Sequence, residues 1–403
     1  MNELAIAAPA PTFAARALFS VFAQTRVGSL RITTPDGASR QFAGASPGPA
    51  AEITIHEWQA VPHMIRHAEI GIAESWRDGH ISTPDMTVFL EWCVANEKAL
   101  EKVFYGNPFT ALLLRAAHWF RPNTRSGAKK NIHAHYDLGN SFYSLWLDRT
   151  MTYSSAVFGE GEKAGDLAQG QEAKYERLLQ VLDVRAEHRV LEIGCGWGGF
   201  AEYAARTRGC HVTGVTISKA QLEFAQERIR RSRLQDRVDL RFVDYRDVEG
   251  QFDRIVSIEM FEAVGERYWP RYFQCVHDRL VPGGRAAIQA ITIAPDAFER
   301  YRKTSDFIRE YIFPGGMLAS PERFAQEARG AKLHAHEPFF FGMDYARTLK
   351  RWREMIDARE TDVKAHGFDD RFLAIWRFYL CYCEAGFRTR RTDVMQIELA
   401  RPA

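Results

Sequence analysis

One short stretch of the chain, residues 191–199, combines a carboxylate with four glycines and reads LEIGCGWGG. Gly194 and Gly196 permit positive φ angles and let the backbone approach a bound molecule closely. Gly199 lets a helix begin tightly against the preceding strand. An acid, Glu192, precedes the first glycine and can bind a cationic group. The pattern therefore predicts a strand-to-helix turn that holds a small charged ligand.

The spacing of these glycines also fits the GxGxxG fingerprint of dinucleotide-binding proteins. That fingerprint expects an acid at the end of the second strand, whereas residues 215–218 read VTIS. Glu192 can instead meet the ammonium group of an amino acid, such as the methionine part of S-adenosylmethionine. Further along, Asp244 can accept a hydrogen bond from adenine N6, and Tyr245 offers a ring for stacking. We therefore expect S-adenosylmethionine, with a glycine turn that binds nothing as the alternative.

The region around this turn alternates between apolar strand-like runs and helical patterns. Such alternation predicts an α/β fold, with a parallel sheet covered by helices on both faces. The predicted strands are 190–193, 211–217, 238–243, 252–258, 285–291, 334–341 and 394–399, with helices at 198–206 and 220–231. A long helical stretch, 344–385, separates the last two strands.

The N-terminal third has a different character. Helical patterns at 13–23, 61–76, 85–101 and 107–119, with strands at 29–34, 40–42 and 52–55, predict a small α+β domain over residues 1–120. Residues 121–132 carry Pro, Gly, Ser and four basic side chains without apolar core positions, which is typical of a linker. The second domain is expected at 133–403.

Composition excludes several classes of protein. The 403-residue chain has a formal net charge of +2 and is 46% hydrophobic, which is ordinary for a soluble protein and gives no reason to expect a nucleic-acid partner. Its six cysteines are scattered without a CxxC pair, which predicts reduced thiols in the cytoplasm and no metal site. No apolar run is long enough to cross a membrane, so we expect any membrane contact to be peripheral.

A series of motifs runs in order through the second domain. They are HYDLGN at 135–140, MTYS at 151–154, EIGCGWGG at 192–199, GVTIS at 214–218, DYRD at 244–247, FDRIVSI at 252–258, MFE at 260–262, YIFPG at 311–315 and FGMDY at 341–345. In these motifs the chain resembles the cyclopropane fatty-acyl-phospholipid synthases and their mycolic-acid relatives, from about residue 133 to the C-terminus. A weaker resemblance extends to residues 28–37.

The resemblance implies a class I methyltransferase sheet of Rossmann type with helical lid insertions. It also implies S-adenosylmethionine as cofactor and a methylene bridge built across a cis double bond of a membrane phospholipid. The family's cofactor contacts transfer to Tyr153, Ser154, Gly194, Gly196, Thr216, Ile217, Gln221, Tyr245, Arg246 and Ile258, and the motif acid corresponds to Glu192.

In the family, the catalytic base is a bound bicarbonate held by Cys, Glu, His, Ile and Tyr. The corresponding residues of this chain are Ser155, Glu262, Gln289, Ile291 and Tyr345. Two of the five therefore differ, and Ala263 stands where many members have a further His. Ser and Gln can still donate to a carbonate oxygen, but Gln cannot titrate near neutral pH. The resemblance thus leaves two possibilities, an altered bicarbonate site or a lost one.

Methyl transfer to an alkene leaves a carbocation, which aromatic faces can stabilise without trapping it. Candidate rings are Phe142, Tyr143, Trp146, Tyr301, Tyr311, Phe313 and Tyr345; for each, core packing is the alternative, and Tyr345 has the best functional claim. If proton removal from the new methyl group slows, a hydride shift competes. The product would then be a methyl-branched or methylene chain without a ring, and this alternative stays open beside cyclopropane.

The substrate requires a surface that meets lipid. Residues 112–120, LLLRAAHWF, precede Arg121, Arg125, Lys129 and Lys130, and apolar anchors beside basic residues suit an anionic membrane. We expect a cytoplasmic enzyme, peripheral on the inner face of the membrane, and the resemblance suggests a homodimer formed through the N-terminal domains. Two other functions remain: methylation of a small soluble acceptor, and non-catalytic lipid binding.

Overall fold

The computed structural model describes residues 13–105, 138–159 and 166–403. These residues form two compact units. The first contains the described residues up to 105 together with 368–389, and the second contains 138–159, 166–367 and 390–403. The predicted helix 107–119, the predicted linker 121–132 and the first residues of the HYDLGN motif lie outside the described residues.

The described helices, in chain order, are α1 (Phe13–Phe22), α2 (Ala60–Arg77), α3 (Met86–Tyr105), α4 (Gly139–Trp146), α5 (Leu167–Val181), α6 (Gly199–Arg208), α7 (Lys219–Arg231), α8 (Trp269–Arg279), α9 (Pro295–Tyr301), α10 (Pro321–Gly330), α11 (Gly342–Ala358), α12 (Glu360–Ala365) and α13 (Asp370–Arg388). The strands are β1 (Val27–Thr33), β2 (Ser39–Ala43), β3 (Ser46–Ile55), β4 (Ile81–Ser82), β5 (Arg189–Ile193), β6 (His211–Thr216), β7 (Val238–Phe242), β8 (Phe252–Ile258), β9 (Leu280–Ile293), β10 (His334–Ala335), β11 (Phe339–Phe340) and β12 (Thr392–Ala400). None of the described helices is long and apolar enough to span a bilayer.

The first unit has the α+β character that the sequence predicts. Its sheet follows the order β2-β1-β3-β4, in which β1 is antiparallel to β2 and parallel to β3. The alternating side chains Leu30 and Ile32 are buried from β1, as expected for a strand with one face on the core. Helix α3 begins after Asp85, whose carboxylate accepts a hydrogen bond from the Val88 amide at 3.1 Å.

Helix α13 also belongs to the first unit, although the sequence-based division left it in the second domain. Thr87 of α3 donates to the Glu384 carboxylate at 3.2 Å, and Arg388 pairs with Glu91 at 2.6 Å. The apolar face of α13, including Leu373 and Leu380, is buried. Because this packing partner lies far away in the sequence, no local pattern could assign the helix to a unit.

The second unit is the predicted α/β fold. Its sheet follows the order β10-β12-β9-β8-β5-β6-β7, and β5 to β9 are mutually parallel where they pair. Strand β12 runs antiparallel to β9, so the sheet is mixed rather than wholly parallel. The carboxyl ends of β5, β6, β8 and β9 therefore meet at one edge of the sheet, where ligands bind in open α/β folds.

One predicted strand, 334–341, is interrupted. The structure has only the two-residue strands β10 and β11, which pair separately with β12. Pro338 lies between them and has no amide hydrogen to donate to a neighbouring strand. The apolar residues Phe339 and Phe340 consequently lie at the sheet margin and are exposed.

Candidate active site

The glycine turn follows β5 and enters α6 as the sequence predicts. Gly194 and Gly196 both have positive φ, at 83° and 49°. The Gly194 amide donates to Val215 O at 3.0 Å, which fixes the turn against the end of β6. A Cβ atom on Gly199 would lie 2.7 Å from the Tyr175 hydroxyl oxygen, so a side chain there would displace α6 or α5. The positive φ angles of Gly194 and Gly196 agree with the sequence-based prediction, whereas the close contact at Gly199 is with α5 rather than with the preceding strand.

Glu192, at the end of β5, is 3% exposed. Its Oε2 atom is buried and has no hydrogen-bond partner among the described residues. Burial raises the pKa of this carboxyl group well above its usual range, and the nearby Lys174 and Arg228 oppose that shift. A buried carboxylate oxygen without a partner complements a positively charged ligand group, so the turn fits the ammonium end of S-adenosylmethionine.

The residues after β6 form a second part of this site. Thr216 accepts from the Ser218 amide at 3.1 Å and donates to Gln221 at 3.3 Å. Ile217 is 72% exposed, which is unusual for an isoleucine beside a sheet edge. An accessible apolar side chain between polar neighbours suits a flat, partly apolar group such as adenine. Ile258, at the end of the neighbouring β8, is half-buried.

Asp244 already has a partner within the chain. Its carboxylate accepts from the Arg246 amide at 3.0 Å and pairs with the Arg246 guanidinium at 2.7 Å, which holds the pKa of Asp244 below its usual range. The Tyr245 ring packs edge-on against Tyr272 with a centroid separation of 5.6 Å. The structure thus keeps Asp244 ionised and holds Tyr245 in place, and both follow β7 at the same sheet edge.

A continuous set of aromatic rings leads away from the glycine turn. Trp197 of the turn contacts Tyr143 at 5.0 Å between ring centroids, and Tyr143 contacts Tyr153 at 5.3 Å. Tyr153 in turn lies 5.3 Å from Trp352, and Trp352 lies edge-on to Tyr345 at 6.1 Å. We call these five residues the aromatic path. It joins the cofactor turn to the predicted catalytic tyrosine.

Hydrogen bonds from polar side chains hold the start of the aromatic path in place. Trp197 donates to Asn140 at 2.7 Å, and Asn140 donates to Ala220 O at 2.8 Å. Arg228 binds the carbonyl oxygens of Thr150 and Trp197 at 2.8 and 3.0 Å. The MTYS segment is therefore tied to the glycine turn, which explains why the two motifs lie close together although about forty residues separate them in the chain.

Three of the predicted catalytic residues converge on a carboxylate that sequence reasoning did not select. Glu259 accepts from the Ser155 amide at 2.9 Å, from Gln289 Nε2 at 2.7 Å and from the Tyr345 hydroxyl at 2.6 Å. Ser155 and Gln289 are fully buried, whereas Glu259 keeps partial access to solvent. We call Glu259 with these three partners the carboxylate cluster.

Two details differ from the sequence-based expectation that Ser155 and Gln289 donate to a carbonate oxygen. The Ser155 hydroxyl donates to Ala156 O at 2.9 Å, so this residue supplies its backbone amide rather than its side chain. Gln289 does donate, but to Glu259, and its own carbonyl oxygen accepts from Gln396 at 2.9 Å. The amide of Gln289 is thereby held in one orientation.

Glu262 and Ile291 form a separate pair. The Ile291 amide donates to Glu262 Oε1 at 2.5 Å, and Glu262 Oε2 is buried without a hydrogen-bond partner among the described residues. Burial, with repulsion from Glu259 as the next cause, raises the pKa of Glu262 to about 8. The five residues that the resemblance grouped together are thus divided between two carboxylates, Glu259 and Glu262.

Lys174 is a second functional candidate that sequence reasoning missed. It is fully buried on α5 and donates to Ser154 Oγ at 2.5 Å. Burial lowers the pKa of Lys174 to about 7, against the attraction of the carboxylates Glu259, Asp148 and Glu192. A buried lysine is rare without an opposite charge, so Lys174 acts as a counter-ion between the cofactor turn and the carboxylate cluster.

A signal for Glu259 was present in the sequence, because it directly follows the predicted strand 252–258. An acid at the carboxyl end of a parallel strand lies at the ligand-binding edge. Its left-handed backbone, with φ of 48°, adds a structural signal, since such non-glycine residues concentrate at functional sites. Lys174 gave no such signal, because the helix that carries it was not predicted.

The other candidate rings have different surroundings. Phe142 and Trp146 are fully buried. Trp146 lies edge-on to Tyr153 at 5.7 Å, so it supports the aromatic path from behind. Tyr301 accepts from the Leu318 amide at 3.2 Å, and Tyr311 stacks on Phe307 at 5.2 Å. Phe313 is 36% exposed. Of the candidate rings, Tyr143 and Tyr345 are members of the aromatic path.

Known proteins are similar to this chain in sequence. Residues 123–397 match the family described as mycolic acid cyclopropane synthetase. The chain is 38% identical over 390 residues to the tuberculostearic acid methyltransferase UfaA1 of Mycobacterium tuberculosis, covering 92% of this chain and 88% of that protein. It is 32% identical over 367 residues to the cyclopropane-fatty-acyl-phospholipid synthase of Escherichia coli K12, covering 89% of each.

A solved structure is also similar to this chain. The mycolic acid cyclopropane synthase CmaA1, crystallised with SAH and CTAB, superposes with a TM-score of 0.60 at 28% identity, covering 67% of this chain and 97% of that one. The residues matched by the family, 123–397, include the glycine turn, the aromatic path and both carboxylates. The chain therefore belongs to the mycolic acid cyclopropane synthetase family and is an S-adenosylmethionine-dependent methyltransferase.

Proposed function

We propose that the protein transfers the methyl group of S-adenosylmethionine to the cis double bond of an unsaturated acyl chain in a membrane phospholipid, and that the product is a cyclopropane. The observation that carries this proposal is the aromatic path, which ends at the carboxylate cluster. An alkene presents only π electrons, so its site needs apolar rings and one base rather than a set of polar acceptor-binding groups.

Several residues are suited to hold the cofactor. Glu192 would meet the ammonium group, and the positive-φ glycines let the backbone approach the ligand. Ile217 and Tyr245 offer apolar faces to the adenine, while Thr216, Gln221 and Asp244 offer polar groups. When bound, S-adenosylmethionine supplies an electrophilic methyl group on a positively charged sulfur.

The rings of Tyr153 and Tyr345 would face the positive charge that methyl transfer leaves on the acyl chain. An aromatic face within about 6 Å attracts a cation by about 0.5–2 kcal/mol, and it does not form a bond that would trap the intermediate. The remaining requirement is removal of one proton from the transferred methyl group, which completes the ring. A base within hydrogen-bond reach contributes roughly 10²–10⁴-fold to such a step.

A methyl-branched or methylene product without a ring is the second candidate. Two observations favour it: Gln289 stands where the resemblance implies a titratable histidine, and the 38% identical relative is named a tuberculostearic acid methyltransferase. In this alternative a hydride shift moves the cation before the proton leaves. Substrate and cofactor are the same in both candidates.

Mass spectrometry of the lipid product separates the two. Purified protein would be incubated with S-adenosylmethionine and liposomes of a cis-unsaturated phospholipid, and the acyl chains analysed before and after mild hydrogenation. A cyclopropane survives mild hydrogenation, whereas an alkene gains hydrogen. Transfer to soluble amines or phenols, with none to liposomes, would contradict the proposal and support a small soluble acceptor.

The cellular setting follows from the substrate. We propose that the protein works from the cytoplasm as a peripheral protein on the inner membrane face, and that residues 1–120 form a lipid-binding and dimerisation domain. The basic residues at 121–130 and the apolar run before them support this proposal, since such segments attract anionic lipid surfaces. A homodimer in solution would be seen by sedimentation.

A further inference from the structure

The carboxylate cluster contains a negatively charged group at the point where the resemblance places a bicarbonate. We propose that the Glu259 side chain is itself the catalytic base, so that the enzyme needs no bicarbonate. This inference rests on the proposed function and specifies the group that removes the proton. It differs from what the resemblance implies, in which the base is a dissociable anion.

The first argument is a count of hydrogens. The Ser155 amide and the Tyr345 hydroxyl each have a single hydrogen, and both point to Glu259, at 2.9 and 2.6 Å. Gln289 directs one amide hydrogen to Glu259 at 2.7 Å. A bicarbonate would have to take these donors away from a carboxylate that is covalently tethered beside them. Three of the five predicted bicarbonate contacts are therefore already satisfied within the chain.

The second argument is electrostatic. An added anion would lie beside Glu259, and like charges at close range inside a protein repel strongly. The Ile291 amide, a fourth predicted bicarbonate contact, already donates to Glu262. Lys174 supplies one compensating positive charge, which attracts Glu259. The tethered Glu259 carboxylate therefore already supplies a negative charge near this cation.

The third argument is conformational. Glu259 adopts a φ of 48°, which costs a non-glycine residue roughly 1 kcal/mol or more. This backbone is fixed by a hydrogen bond from the Glu259 amide to Gln289 O at 2.8 Å. A glycine would relieve the strain, and strained residues of this kind concentrate at functional sites, which supports a task for the Glu259 side chain.

The proton transfer balances without any co-reactant. One C–H bond of the transferred methyl group breaks, and the proton goes to a carboxylate oxygen of Glu259, which becomes a neutral acid. The electron pair of that bond joins the cationic carbon and closes the ring. In the ring-free alternative the same pair forms a carbon–carbon double bond. The acid then returns its proton to water before the next turnover.

The test uses Glu259→Gly and Glu259→Gln in buffer freed of carbon dioxide, with unsaturated liposomes and S-adenosylmethionine. We expect the wild-type rate to be unaffected by removing bicarbonate, and both variants to lose roughly 10²-fold or more. Added bicarbonate or formate should restore Glu259→Gly at least about tenfold, because glycine leaves space for the anion. Glu259→Gln fills that space and should not recover. The exposed Glu187→Gln variant is the matched control and should keep the wild-type rate.

A second measurement does not depend on turnover. Calorimetric titration of bicarbonate into the cofactor-loaded protein should show no binding to the wild type and binding to Glu259→Gly. Wild-type activity that requires bicarbonate, wild-type binding of bicarbonate, or a Glu259→Gln rate within about twofold of wild type would overturn the assignment. Absence of any turnover on unsaturated lipid would instead refute the proposed function, while the titration would still decide whether Glu259 occupies the anion site.

Discussion

At the scale of single residues, the site is governed by buried charges that lack solvent and therefore depend on one another. The buried carboxyl groups of Glu192 and Glu259 both lie near Lys174, and Arg228 also acts on Glu192. Because Glu192 Oε2 has no hydrogen-bond partner among the described residues, the site favours a positively charged ligand near the glycine turn. Removal of one charge should therefore change ligand binding and pH dependence more than it changes the fold.

The Glu192→Gln variant tests the cofactor contact. It keeps the shape of the side chain but removes the charge that would meet the ammonium group. Because a hydrogen bond to a charged group contributes about 1.5–3 kcal/mol, S-adenosylmethionine affinity should fall roughly 10- to 100-fold. Calorimetric titration measures this change. The exposed Glu187→Gln variant is the control, and equal affinities for all three proteins would refute the role of Glu192.

Glu262 predicts a pH dependence of stability. Its pKa is raised from 4.5 to about 8 in the folded protein, so between these values the folded state retains a proton that the unfolded state releases. The stabilisation is complete below 4.5 and is lost as the pH rises through about 8, at up to about 1.4 kcal/mol per pH unit. Denaturant unfolding at several pH values should therefore show a shallower decline for Glu262→Gln than for the wild type. Identical slopes would contradict the assigned pKa.

The conformation of the glycine turn could be predicted from the sequence because its glycines form a local pattern. Glu259 could not be selected over Glu262 in the same way. Both carboxylates follow β8, and only the three-dimensional placement of Ser155, Gln289 and Tyr345 shows which one they contact. The resemblance by itself did not indicate that these three residues donate to Glu259.

At the scale of elements, the site depends on how closely α6 lies against α5. Gly199 permits this contact, since a Cβ atom there would lie 2.7 Å from the Tyr175 hydroxyl and 3.1 Å from Thr150 O. The helix α6 begins at the cofactor turn, so a shift of α6 would also move the turn. Packing and ligand binding are thus coupled through one glycine.

The Gly199→Ala variant should therefore lower both stability and cofactor affinity. Overpacking of a tight contact costs about 1–3 kcal/mol, and we expect a lower melting temperature by calorimetry or thermal scanning. Gly330→Ala is the matched control, because a Cβ atom at Gly330 in α10 would meet nothing within 4 Å. A melting temperature for Gly199→Ala equal to that of the control would contradict the packing account.

Most elements could be predicted from periodicity, and the exceptions have physical causes. The strand 334–341 is divided because Pro338 cannot donate to a neighbouring strand. Helix α5, which carries Lys174, was not predicted, because the sequence motifs lie on either side of it. Its hydrogen bonds to Ser154, from Gln171 at 2.8 Å and Lys174 at 2.5 Å, are long-range contacts that no local pattern specifies.

At the scale of the whole molecule, the second unit is not formed by one continuous stretch of the chain. Residues 368–389 leave the methyltransferase unit, pack in the first unit and return as β12 at 392–400. The predicted linker at 121–132 lies outside the described residues and stays a prediction. The linker prediction does not assign α13 to the first unit, because membership of a unit depends on contacts between distant segments.

The proposed membrane contact can be tested by replacing the basic residues of the predicted linker. Replacement of Arg121, Arg125, Lys129 and Lys130 by alanine should weaken binding to anionic liposomes, since each basic residue near such a surface contributes about 1 kcal/mol. Flotation assays should show this loss at low salt, with no change on neutral liposomes and an unchanged cofactor affinity. Equal flotation of variant and wild type on anionic liposomes would refute the proposed docking segment.

The most direct test of the proposed function follows the methyl group itself. Purified protein would receive S-adenosylmethionine with a fully deuterated methyl group, together with liposomes of a cis-unsaturated phospholipid or of its saturated counterpart. The account predicts deuterium in the acyl chains of the unsaturated lipid only, with one of the three deuterons lost to the base. Label in the headgroup, label in saturated chains, or no label in lipid would contradict it.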